Sequence, residues 1–316
     1  MDIYKQIWNE IEKADNIMLI AHINPDGDAL GSSLSLYPIL KKMGKKVTVF
    51  NATKPLPDYL DFLPNFNKVT DKLPKKIDLT ISFDCGSFDR LGLEEKPSFL
   101  INIDHHISNT KYGDINLIEP NYASTSQVVY DLLKANNVEI LKESAICIYT
   151  ALVTDTGSFQ YESVNDKVFE CAADLVRCGV KPDYISKMLF QRDRLSRLRL
   201  LAKVYETIQM CCEGRVAFVE VTREMMEITG AIKEDTDTIV NSVRALATVE
   251  VAVMLREDEE GIKISLRSKN CADVSKVAVK YGGGGHIRAA GATLKGEFDF
   301  EKIKEMLKKD LKEILC

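Results

Sequence analysis

Short apolar runs alternate with longer stretches of helical spacing through the first half of the chain. Asn16–Ala21 (NIMLIA), Lys46–Phe50 (KVTVF), Ile77–Phe83 (IDLTISF) and Phe99–Ile103 (FLINI) read as strands. Asp28–Met43, stopped by Gly44, reads as a helix, as do stretches near 124–136, 143–154 and 166–178. The alternation predicts an α/β domain, a parallel sheet with helices on both faces.

The pattern then changes. Residues 182–212 keep helical spacing around a charged middle, RDRLSRLR, which predicts one connecting helix. Val216–Val221 follows as a strand. Residues 249–256 and 262–267 form a hairpin around the acidic turn EDEEG. A helix near 274–281, a glycine run, a strand near Ala292 and a terminal helix from Asp299 complete a smaller α+β domain. The expected division is 1–185, a linker helix over 186–213, and 214–316.

Composition narrows the function classes. The 316 residues are 45% hydrophobic and 28% charged, ordinary globular usage that excludes a fibrous or disordered chain. A net charge of −5 argues against a surface that holds a long polyanion. Eight cysteines without a Cys-x-x-Cys pair do not suggest a disulfide scaffold. The start, MDIYK, lacks a signal peptide's basic and apolar regions, and the apolar stretch 145–153 is too short to span a bilayer. The expectation is a cytoplasmic protein that does not bind membranes.

The chemistry concentrates where strands end. His22 directly follows the first strand, in AHINPDGDALGS, with Asp26 and Asp28 four and six residues on. Asp84 follows IDLTISF, and Asp104-His105-His106 follows FLINI. Asp155, in VTDTG, ends an apolar helix. Any one of these is ordinary turn or cap chemistry. Together they aim acids and imidazoles at the sheet's carboxyl edge, where open α/β sheets place ligands. Crowded carboxylates raise one another's pKa unless a cation compensates them. A carboxylate/imidazole set without thiolate suits manganese, magnesium or a related ion, and its size suggests two ions, an arrangement for phosphoryl hydrolysis.

The fourth histidine, His286, closes the run Gly282-Gly283-Gly284-Gly285. Successive glycines let backbone amides converge on an anion, and Arg267-Ser268 at a strand end could join them. There is no G-x-x-x-x-G-K-[ST] loop and no G-x-G-x-x-G after a strand, so nucleoside-triphosphate and dinucleotide chemistry lack support.

The ordered set AHINPDGDALGS, SFDCGS, IDHH, TDTGSF and YGGGGHIRAAGA resembles the DHH phosphoesterase superfamily over about residues 15–295. It is most similar to the branch with a C-terminal DHH-associated domain, whose members include short-RNA ribonucleases and phosphatases of 3′-phosphoadenosine 5′-phosphate (pAp). The resemblance implies two divalent ions, manganese with magnesium or cobalt as substitutes. His22 and Asp26 would hold one ion, Asp28, His105 and Asp155 the other, and Asp84 would bridge. His106 would contact the scissile phosphate and protonate the leaving oxygen, with Asp104 orienting the histidines. Arg267, Ser268, Gly283, Gly284, Gly285 and His286 would bind the substrate's other phosphate or nucleotide. Implied substrates are short RNA, cut to mononucleotides, and pAp, converted to AMP. The alternatives are a phosphodiesterase for linear or cyclic di-adenylate and a nucleotide sensor without catalysis. A homodimer remains open. Two departures from the family pattern are Gln127 in place of an acid and Thr238 in place of a glycine.

Overall fold

The computed structural model describes residues 2–296 and 299–315 and divides into two compact units, Met1–Arg192 and Asp193–Cys316. The first unit runs α1 (Ile3–Lys13), β1 (Asn16–Ala21), α2 (Gly27–Lys42), β2 (Lys46–Phe50), β3 (Val69–Thr70), β4 (Leu79–Phe83), β5 (Leu100–Asp104) and β6 (Ile115–Ile118). Four helices follow: α3 (Thr125–Ala135), α4 (Lys142–Asp155), α5 (Asp166–Arg177) and α6 (Pro182–Phe190).

Its six strands lie in the order β3-β2-β1-β4-β5-β6, and every pair is parallel. The chain winds outward from β1 to β3, then returns to the other side of β1 to lay down β4. That reversal is the switch point at which such sheets open a crevice at their carboxyl edge. β4 and β5 are buried along their whole length, so both read as continuous apolar runs rather than alternating ones.

Helix α2 is buried over most of its length, from Gly27 to Leu36, because it lies between the sheet and α4. Two glycines make that approach possible. A Cβ on Gly27 would sit 2.4 Å from Thr154 Oγ1, and one on Gly31 would sit 2.7 Å from the carbonyl oxygen of Cys147. The second obstacle is backbone and cannot rotate away. Gly31→Ala is therefore expected to force α2 and α4 apart, destabilising the unit by about 1–3 kcal/mol. Because Asp28 rides on α2 and Asp155 ends α4, activity should fall by more than the lost folded fraction explains. Denaturant midpoint and kcat measured on the same samples check this.

The second unit holds α7 (Leu195–Glu206), β7 (Gln209–Cys211), β8 (Val216–Val221), α8 (Arg223–Thr229), α9 (Ile239–Arg244), β9 (Val251–Asp258) and β10 (Gly261–Ser268). It ends with α10 (Val274–Lys280), β11 (Gly284–His286), β12 (Ala289–Lys295) and α11 (Phe300–Ile314). The strand order is β11-β12-β10-β9-β8-β7, antiparallel except for β8 with β9. Both faces of β9 are covered. Val251, Val253 and Leu255 join a core with α10 and α11, while Ala252 and Met254 join another with α7 and α9.

Two expectations are corrected. The single helix across 182–212 is two helices and a strand. At the break, Arg192 makes a bidentate pair with Asp61 (2.7 and 3.0 Å), and Asp193 pairs with Arg197 one turn into α7. The glycine run is not an open loop, since Gly284–His286 forms an edge strand. The cysteines form no scaffold among the described residues: Cys271 is disulfide-bonded, and Cys85, Cys147, Cys171, Cys178, Cys211 and Cys212 are free thiols. No helix among the described residues is long and apolar enough to cross a membrane.

Candidate active site

Strand register assembles the site. Ala21 pairs with Phe83, and Phe83 with Ile103. The next residue on each strand, His22, Asp84 and Asp104, therefore falls in one row along the carboxyl edge. Asn51, buried just after β2, donates to the carbonyls of Ala21 (3.3 Å) and His22 (3.0 Å) and fixes the end of β1.

Asp26 and Asp28 arrive from the turn into α2. Asp26 is the N-cap, its Oδ1 accepting from the amides of Asp28 and Ala29 (3.1 Å each). Asp28 points instead at the start of α3. Its Oδ2 accepts from the Thr125 amide (2.6 Å) and its Oδ1 from the Ser126 amide (3.0 Å) and the Ser32 hydroxyl (3.0 Å). Two amides that a helix start leaves unpaired thus hold a buried carboxylate.

The acids and imidazoles form three overlapping groups whose donor atoms lie within 4.8 Å of one another: His22–Asp26–Asp84, Asp28–His105–Asp155 and Asp84–His105–His106. His22 Nε2 is 3.7 Å from Asp84 Oδ2 and 4.0 Å from Asp26 Oδ2. His105 Nε2 is 3.3 Å from Asp155 Oδ2, 3.6 Å from Asp84 Oδ1 and 4.0 Å from Asp28 Oδ2. Both rings turn Nδ1 to a backbone carbonyl, that of Ile23 at 2.8 Å and that of Tyr122 at 3.1 Å. An Nδ1–H donated to a carbonyl leaves Nε2 with a lone pair aimed among the carboxylates, which is how metal-bound histidines are oriented. The donor set fits divalent ions.

Asp104 is fully buried and saturated. Its Oδ1 accepts from the amides of His105 (2.8 Å) and His106 (3.2 Å) and from His106 Nδ1 (2.7 Å), and its Oδ2 from Asn109 Nδ2 (2.5 Å). Asn109 also donates to Asn102 (2.8 Å) and to the Cys85 carbonyl (3.2 Å), so the acid stands on a polar network under the edge.

The electrostatics of the cluster favour a cation among its acids. Burial pushes the Asp28 carboxyl up to about 7, helped by the charge of Asp84. Burial would also raise Asp84, but the imidazoles of His22, His106 and His105 outweigh it and hold the carboxyl at about 2. Burial disfavours the charged form of His105, yet Asp155, Asp28 and Asp84 carry its pKa to about 9. Asp155 is raised, by burial and by Asp28. With no cation bound, protons supply the positive charge. A metal must displace them, so affinity falls as pH drops from about 9 through about 7, where His105 and Asp28 take up protons. Each proton released is worth about tenfold in affinity per pH unit. Manganese titrations at pH 6.5, 7.5 and 8.5 should tighten with rising pH and show proton release. A flat profile would contradict this charge balance.

In the second unit, Arg267 of β10 and His286 of β11 both pair with Ala289 of β12, from opposite sides. They therefore share one sheet face, with Lys263 and Ser265 further along β10. Ser268 falls on the other face, buried. The glycines serve close packing in the hairpin. A Cβ on Gly283 would lie 2.1 Å from the Gly291 carbonyl oxygen, and one on Gly285 2.5 Å from that of Ala289. Gly283 N donates to the Ala278 carbonyl (2.9 Å). Lys263 was not expected here. Burial holds its ammonium below the usual range, and Arg256 and Lys233 add to the effect. A cation so placed favours an anion.

Thr125 was also missed: its Oγ1 donates to Asp84 Oδ1 (3.0 Å). The two departures are both occupied structurally. Gln127 Oε1 accepts from the Ala123 amide (3.0 Å), and Thr238 accepts from Arg197.

With the geometry established, comparison with known proteins is informative. Residues 16–152 match the DHH family, N-terminal domain, and residues 218–313 match the DHHA1 domain. The bifunctional oligoribonuclease and PAP phosphatase NrnA of Thermus thermophilus is 37% identical over 301 residues, covering 93% of this chain and 90% of that protein. The protein of the same name from Bacillus subtilis is 26% identical, covering 92% of each. An exopolyphosphatase-related protein from Bacteroides fragilis superposes with a TM-score of 0.93 at 30% identity, covering 98% of this chain and 96% of that one.

Proposed function

We propose that this chain, which belongs to the DHH family in the branch that carries a DHHA1 domain and is a hydrolase of phosphoester bonds, is a manganese-dependent enzyme that cuts short oligoribonucleotides to mononucleotides and removes the 3′-phosphate of pAp to give AMP. The observation that carries the reading is the set of overlapping acid and imidazole groups around Asp84, with Nδ1 of His22 and of His105 tied to carbonyls.

His22, Asp26 and Asp84 would hold one ion, and Asp28, His105 and Asp155 a second, with Asp84 shared between them. Two bound divalent ions supply an activated water and neutralise charge that develops on the phosphoryl oxygens. The chain supplies the rest. His106, oriented through Nδ1 by Asp104, presents Nε2 to the leaving oxygen and protonates it as the ester bond breaks. Thr125 fixes the rotamer of Asp84. Arg267 and His286, with the Gly283–Gly285 segment, bind a second phosphate of the substrate, and Ser268 supports that hairpin by donating to the Ile287 carbonyl (3.5 Å).

The test is a panel of purified protein, manganese, and pAp, linear di-adenylate, cyclic di-adenylate, two- to five-residue RNA, long RNA and pyrophosphate. The reading requires pAp and short RNA to be the best substrates. Preference for pyrophosphate or a di-adenylate would overturn it.

The second-phosphate anchor makes its own prediction. His286→Ala should leave manganese binding intact and lower kcat/KM on pAp by about one to two decades, the equivalent of a lost charge-assisted hydrogen bond of about 1.5–3 kcal/mol. Bis-(p-nitrophenyl) phosphate has one phosphate and should be nearly unaffected. An equal drop on both substrates would assign His286 to the chemistry or the fold instead.

A further inference from the structure

Immediately after Asp155 the backbone does something unusual. Gly157, Ser158 and Phe159 all have left-handed conformations, with φ of 56°, 62° and 64°. Bulky L-residues such as Phe rarely adopt it. The segment is held rather than loose. The Ser158 amide donates to the Val153 carbonyl (2.8 Å), the Phe159 amide to Thr156 Oγ1 (3.0 Å), and the amides of Gln160 and Tyr161 to the Thr156 carbonyl (2.9 and 3.1 Å). Phe159 is fixed from the other side, stacked on Phe169 at 5.6 Å and near Tyr149 at 6.3 Å. Backbone strain maintained this firmly points to a side chain that must be placed.

That side chain is Tyr161. Its ring lies on Gly157 so closely that a Cβ there would be 2.5 Å from both Cε1 and Cζ. Only glycine leaves room for the ring. Gly157 is two residues beyond Asp155, within about 7 Å along the chain. Yet Tyr161 is 46% exposed, so the ring is positioned and not buried. Two further exposed apolar side chains directly follow candidate site residues: Ile23 after His22, and Ile107, 88% exposed, after His106. An inorganic polyphosphate offers nothing to such groups. A nucleobase does, because every base has a π-face that stacks on an aromatic ring.

We infer that Tyr161 is the stacking platform for the nucleobase of the nucleotide whose phosphoester is hydrolysed, a role that rests on the function proposed above. The contact is to the base face and not its edge, so it selects nucleotides over inorganic phosphates without selecting among bases.

The experiment compares pAp with its abasic counterpart, the methyl glycoside of ribose 3,5-bisphosphate, in manganese. The enzymes are wild type, Tyr161→Ala, Tyr161→Phe and Phe190→Ala. Wild type should prefer pAp. Tyr161→Ala should lose roughly 5- to 150-fold in kcat/KM on pAp, the usual effect of removing one stacked aromatic, mostly in KM. It should be unchanged on the abasic ester. Tyr161→Phe should keep the preference, and so should Phe190→Ala, which removes an exposed aromatic outside the segment that holds Tyr161. If wild type turns over pAp but Tyr161→Ala keeps the preference, or loses activity equally on both esters, the inference fails alone. If wild type turns over neither pAp nor short RNA, the functional reading fails and takes the inference with it.

Discussion

Asp84→Asn should abolish turnover on every substrate while leaving a folded protein. Asp84 is the one acid common to two of the three groups, and its two oxygens face different partners: Oδ2 lies toward His22, and Oδ1 toward His105 and His106. No other acid in the cluster faces both sides. Asparagine is the informative replacement because Asp84 has φ of 52°, a left-handed conformation that Asn tolerates and Ala does not. The amide also keeps an oxygen for the Thr125 hydroxyl. What is lost is the charge. Electrostatic stabilisation by bound metal is worth several kcal/mol, so kcat should fall by about 10³-fold or more. A cooperative thermal transition and an unchanged far-UV spectrum would establish that the loss is chemical. Near-normal activity of Asp84→Asn with manganese would falsify the two-ion arrangement.

Why Asp84 could be singled out from sequence, and Thr125 could not, follows from how each is placed. His22, Asp84 and Asp104 each directly follow an apolar strand, or end it, and parallel register does the rest. Once three such strands are neighbours, their next residues must form a row. Thr125 reaches the same row from the start of a helix, 41 residues further along the chain than Asp84. Locally, Ser124-Thr125-Ser126 reads as an N-cap, and Ser124 does cap α3 by accepting from the Gln127 amide. That the next two amides hold Asp28 depends on how α3 lies against α2, which no local pattern states.

The misread connecting helix has a similar cause. Helical spacing persists through 182–212 because α6 and α7 each bury one face. The break between them is set by Arg192 reaching Asp61, a partner 131 residues away. β3 and β6, of two and four residues, are too short to register as periodicity, and the two-sided burial of β9 explains why that strand was plain. The glycine run was legible as special but for an incomplete reason. Gly283 and Gly285 are needed where the hairpin backbones approach, whatever else the segment binds.

His105 and His106 are adjacent, yet replacing them should fail in different ways. The two rings meet edge to face, 4.7 Å apart between centroids, and both lie near Asp84. Proximity alone would make both of them metal ligands. The hydrogen bonds of their nitrogens support the different roles proposed for them. His105 gives Nδ1 to a carbonyl and turns Nε2 toward three carboxylates. The nitrogen that His106 turns toward Asp84, at 3.5 Å, is the same Nδ1 that is bonded to Asp104 at 2.7 Å. A nitrogen that carries a proton to a buried carboxylate is not a ligand. His105→Ala should therefore weaken manganese binding, and excess manganese should recover part of the rate. His106→Ala should bind manganese as wild type does and lose about 10²–10⁴-fold in kcat, the usual worth of a general acid. Asp104→Asn should follow His106→Ala in direction, because an amide cannot hold the imidazolium form in place. Leaving groups that need no proton, such as p-nitrophenolate, should suffer less in His106→Ala than the 3′-oxygen of pAp. Equal manganese affinity in His105→Ala and His106→Ala would sink this division of labour. An equal rate loss on both leaving groups would remove His106 from proton transfer.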